Sequence, residues 1–66
     1  MIQDAEFNRI KSEAERRASL SSDDALRTGF LESDQVRQHT PVGDERAKVA
    51  LVVAAYKAEI ARRYVK

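Results

Sequence analysis

The chain has 66 residues, 42% of them hydrophobic and 35% charged, with no cysteine, one histidine and a net charge of +1. That length allows one domain, and neither a disulfide nor a zinc site is at hand to staple a core this small. The longest apolar run, Val49 to Tyr56, is eight residues, far short of the roughly 20 that cross a bilayer.

The apolar content is also weaker than it looks. Ten of the 28 hydrophobic residues are alanine. Buried surface is therefore scarce, and a partner chain is the remaining usual source of it. The N-terminus, Met1-Ile2-Gln3-Asp4-Ala5-Glu6, lacks the order of a secretory signal. The expectation is a cytoplasmic protein that does not enter the membrane.

The first helix is expected over residues 4–19. Phe7, Ile10, Ala14 and Ala18 fall within about 80° on a helical wheel, and Asp4 and Glu6 lie in the first turn, where the helix dipole favours acids. Half of this stripe is alanine.

Ser21-Ser22-Asp23-Asp24 signals a second start, with Ser21 as the cap, an acid three positions on, and Leu20 and Ala25 as the staple around it. A short helix over residues 22–31 would bury Leu26 and Phe30. Gly29 costs such a helix about 1 kcal/mol against alanine, unless it marks a close approach. Ser33-Asp34-Gln35-Val36 can open another turn, and His39-Thr40-Pro41 ends it, because a residue before proline is pushed out of helical geometry.

The third helix is the longest, over residues 41–64, with Thr40 as cap and Pro41 in the first position. Gly43 makes Asp44 the alternative start. Val49, Val53, Tyr56, Ile60 and Tyr64 cluster within about 80° and form the expected core face. Beside them runs a stripe of small residues: Ala47, Ala50, Ala54, Ala58 and Ala61. Alanine lets a second helix approach closely. Leu51 borders this flank, and Val52 points to the side that holds Glu45, Lys48, Glu59 and Arg63. The apolar surface of this helix is wider than two short companions can cover.

Charge is split along the chain. Residues 1–45 carry ten acids and six bases, and residues 46–66 carry six bases and Glu59 alone. The bases at the end complement the helix dipole, and Glu59 has Arg62 and Arg63 at i+3 and i+4.

The chemistry of catalysis is thin. His39 is the only histidine and precedes a Thr-Pro pair in an expected loop. Asp23, Asp24, Glu32 and Asp34 lack the glycine and spacing of a calcium loop, and two glycines cannot build a phosphate cradle. No cofactor, metal or catalytic residue is expected.

The expectation is an all-α fold: a small three-helix domain with a long C-terminal helix, oligomeric or partner-bound. Its function would be non-catalytic, a protein-binding module (regulator, inhibitor or assembly chaperone) acting through helix–helix contacts. The partner surface would be Ala47, Ala50, Leu51, Val52, Ala54, Ala58 and Ala61, with Arg62, Arg63 and Lys66 steering toward acidic surface. The partner would be another protein or a second copy in a homodimer. The competing reading is a dimeric DNA-binding regulator. It would use a degenerate helix-turn-helix, in which Ala25 and, four residues later, Gly29 match the motif's usual alanine and turn glycine, or a basic C-terminal helix end.

Overall fold

A computed structural model describes residues 4–64. They form three helices and, among the described residues, no strand: α1 (Asp4–Leu20), α2 (Asp23–His39) and α3 (Asp44–Tyr64). The fold is all-α, as composition and periodicity require.

Serine chemistry sets the α1–α2 turn. The hydroxyl of Ser21 donates to the Arg17 carbonyl at 2.7 Å and that of Ser19 donates to the Arg16 carbonyl at 3.0 Å. The first satisfies an acceptor left open at the end of α1. Ser21 is thereby spent on closing α1, and Ser22 caps α2 in its place, its Oγ accepting from the Ala25 amide at 3.2 Å.

The second helix is one continuous element to His39, eight residues beyond the expected end at 31. Ser33 and Asp34 could have turned back onto the backbone. Instead the Asp34 carboxylate accepts from Arg37 at 2.8 Å and from Gln38 at 3.0 Å, three and four residues ahead, which supports a helix through this stretch. Thr40 does not cap α3. Its hydroxyl donates to the Val36 carbonyl at 2.6 Å and its amide to the Arg37 carbonyl at 3.3 Å, closing α2. The third helix starts at Asp44, after Gly43, whose carbonyl accepts the first helical bond from Ala47 at 3.0 Å.

The chain runs up, down and up. Glu6 meets Lys48 at one end of α1, and the carbonyls of Ala18 and Ser19 meet Arg63 at the other, so α1 and α3 are parallel. The pairs Asp23–Arg63 and Arg27–Tyr64 set α2 antiparallel to α3. Both α1 and α2 pack along α3 and make little contact with each other. α3 is the hub.

Two stripes of α3 serve these two neighbours. Val49, Val53, Tyr56, Ile60 and Tyr64 turn toward α2, with Val53 buried, Tyr56 against Gly29 and Tyr64 beside Arg27. Lys48, Val52, Ala55, Glu59 and Arg63 turn toward α1, with Ala55 and Glu59 buried. Periodicity alone reads this second stripe as the solvent side, because three of its five members are charged. It can be buried because its charges are paired with each other and with α1. The remaining core is small: Ala14 and Ala18 from α1, and Leu26, the one large side chain among the described residues that is wholly out of solvent.

Gly29 marks a close approach. A Cβ there would lie 2.9 Å from the Tyr56 ring, where something must move. Gly29→Ala in an open helix would stabilise by about 1 kcal/mol, but overpacking costs about 1–3 kcal/mol. The expected net is a loss of about 1 kcal/mol, read from the urea midpoint. A gain in stability would show that the Tyr56 ring yields freely.

Candidate protein-binding surface

The three helices leave α3 with one uncovered side. Ala47, Ala54, Ala58 and Ala61 are exposed on it, and Ala50 and Leu51 are half-buried along its borders. The expected alanine flank is therefore one continuous open strip facing away from α2. Toward α1 the strip deepens into a shallow groove of about 220 Å³ lined by Lys11, Glu15, Leu51, Ala54, Ala55 and Ala58.

Val52 stands apart from this surface. It is half-buried on the opposite side of the helix, at the base of the cleft between α1 and α2. There it meets Ile10, Ala14 and Tyr56 on one side and Val36 and Val49 on the other. On the α2 side, beside Glu32, Ser33 and Val36, the open space is about 290 Å³.

The basic end divides in the same way. The guanidinium of Arg63 is mostly buried and fully engaged. Its Nε donates to Glu59 at 2.8 Å, its Nη1 to Asp23 at 2.9 Å, and its Nη2 to the carbonyls of Ala18 and Ser19, each at 3.2 Å. Arg63 is thus a structural tie between the helices. Arg62 is exposed and holds the other side of the Glu59 carboxylate. Lys66, the third residue of the expected steering group, lies outside the described residues.

Sequence spacing shows Glu59 reaching Arg62 and Arg63, and it does. The reach of Arg63 to the turn between α1 and α2 has no signature in spacing, since its partners lie about 40 residues away and two of them are backbone carbonyls.

These contacts set the local electrostatics. Hydrogen bonds from Arg62 and Arg63 hold the Glu59 carboxyl below its ordinary 4.5, and Lys48 lowers Glu6 in the same way. Glu6 in turn raises Lys48.

His39 is exposed at the C-terminal end of α2. No group of three or more metal-binding side chains occurs among the described residues. Gly29 sits in mid-helix, so Ala25 and Gly29 do not form the turn of a helix-turn-helix. That version of the DNA-binding reading fails because α2 runs unbroken through it. No helix among the described residues is long and apolar enough to cross a membrane. The chain matches no protein-family model, and no curated protein or solved structure is significantly similar to it.

The ionised form of Glu59 is the one that the folded state favours. Its stabilisation is complete above the ordinary value of 4.5 and is lost as pH falls through the lower folded value. Stability should therefore decline below that point, and Glu59→Gln should flatten the decline while lowering stability at neutral pH. Urea midpoints measured across the acid range check both. Arg63→Ala should lower Tm more than Arg62→Ala, because only Arg63 ties three helices together. Equal effects in thermal melts would reduce Arg63 to a surface partner of Glu59.

Proposed function

We propose that this chain is a non-catalytic helical protein-binding module that works through the uncovered side of α3. The observation that carries this reading is the mismatch between surface and core. The chain exposes 4981 Å², whereas a compact monomer of its mass, 7.5 kDa, exposes about 4250 Å² on the general scaling.

The strip of Ala47, Ala50, Ala54, Ala58 and Ala61 with Leu51 suits a partner helix. Small side chains bring helix axes toward the short end of the usual range, and Leu51 supplies a larger apolar contact at the border. Arg62 and Arg63 are both engaged with Glu59, so the apolar strip rather than the basic end carries the contact. A regulator, an inhibitor and an assembly chaperone all work by such burial, and a cytoplasmic setting fits a chain without cysteine. A second copy of the chain is the partner most directly available to a protein this short of core. The nucleic-acid alternative would rest on the basic helix end alone. There Arg63 is already occupied by Glu59, Asp23 and two carbonyls, and Arg62 by Glu59.

Ala54→Glu places a charge at the middle of the strip, on a residue that is exposed. It should leave helix content unchanged and abolish association, read by circular dichroism and by sedimentation. Association that survives the substitution would remove this side of α3 as the contact surface.

A further inference from the structure

The last turn of α1 reads Arg16-Arg17-Ala18-Ser19-Leu20. Two bases stand three and two residues before a hydroxyl, and an apolar side chain follows it. An arginine-directed serine kinase reads that order. Carboxylates beside its active site take the two guanidinium groups, and an apolar pocket takes the residue after the serine. Every group that such an enzyme grips is on the surface here. Arg16, Arg17 and Ser19 are exposed, and Leu20, 78% exposed, adds nothing to the core.

The neighbouring serines do not match. Ser21 and Ser22 lie four or more residues beyond Arg17, out of register with the same grip. Their hydroxyls also hold the turn, Ser21 on the Arg17 carbonyl at 2.7 Å and Ser22 on the Ala25 amide at 3.2 Å. The Ser19 hydroxyl makes a surface bond to the Arg16 carbonyl at 3.0 Å.

An acceptor segment enters a kinase site extended, so access depends on what holds this turn against α3. The methyl group of Ala18 is buried, and Nη2 of Arg63 donates to the carbonyls of Ala18 and Ser19, each at 3.2 Å. No large side chain between Arg17 and Leu20 is buried, and helix ends open more readily than helix middles. Arg63 is therefore the main restraint.

We propose that Ser19 is the phosphate acceptor for an arginine-directed serine kinase, with Arg63 as the tie that limits access to it. The Ser19 Oγ forms a bond to the γ-phosphorus of ATP, and the bond from that phosphorus to the β–γ bridging oxygen breaks. ADP leaves, and the hydroxyl proton passes to the carboxylate base of the kinase. The product carries a phosphate at the C-terminal end of α1, where the helix dipole opposes negative charge.

The native chain, incubated with ATP, magnesium and the catalytic subunit of cyclic-AMP-dependent kinase, tests the site. Peptide mass spectrometry should find a single added phosphate on Ser19, and Ser19→Ala should take up none. Arg16→Gln combined with Arg17→Gln should slow uptake by about tenfold or more, the loss expected when charged hydrogen bonds to the kinase are removed. A native chain that takes up no phosphate, or takes it on Ser21 or Ser22, would overturn the site, as would equal uptake without the two arginines. Arg63→Lys tests the tie. Lysine keeps a charge beside Glu59 but lacks the fork that spans to both carbonyls, so helix content should hold by circular dichroism while uptake quickens severalfold. Uptake at the native rate in that variant, or an equal gain in Arg62→Ala, would overturn Arg63 as the limit on access.

Discussion

One guanidinium group holds the ends of all three helices. Arg63 reaches from the last turn of α3 to the carbonyls that end α1, to the aspartate that begins α2, and to Glu59 one turn behind it. Each contact answers a separate physical need. The carbonyls of Ala18 and Ser19 lie at the end of α1, where acceptors lack intrahelical partners. Asp23 brings negative charge to the N-terminus of α2, where the dipole welcomes it. Glu59 is buried and requires paired charge. A lysine offers three donors from a single point and cannot match this spread, whereas the planar fork of arginine can.

That tie explains how a helix with charged residues at three of five positions becomes an interior surface. Lys48 and Arg63 sit at the two ends of the stripe facing α1, and Val52, Ala55 and Glu59 lie between them. The ends are electrostatic and the middle is small and close-packed. The stripe facing α2 is the reverse, made of valine, isoleucine and tyrosine, with Tyr56 against Gly29 and Tyr64 beside Arg27. α1 is thus held by charge at its ends and alanine along its length, and α2 by larger apolar groups.

The sequence exposes much of this fold and hides a specific part. Three helices, an acidic first turn in each, the stop before Pro41 and the Glu59–Arg62–Arg63 grouping follow from local rules. The alanine strip also emerges intact as one open surface. Hidden were the continuity of α2 and the face that meets α1. Ser33 and Asp34 look like a helix start, and only the pairing of Asp34 with Arg37 and Gln38 shows a helix interior. Lys48, Glu59 and Arg63 look like a solvated face, because periodicity counts side chains without their partners. Val52, expected on the partner surface with the alanine strip, lies instead between α1 and α2. Local pattern identifies helices well. It cannot identify which charges have been neutralised by residues 40 positions away.

The central claim is that α3 is a hub buried on two sides, with α1 and α2 each held on it and hardly touching each other; the expectation tested is that α1, whose packed side chains are the smaller, opens first. Site-resolved amide hydrogen exchange tests this most directly, since protection reports the free energy of opening at each residue. Amides from Val49 to Glu59 should exchange slowest, those of α2 next, and those of α1 fastest, through an opening that the other helices do not share. Protection of α1 equal to that of α3, or fast exchange along the middle of α3, would contradict the account.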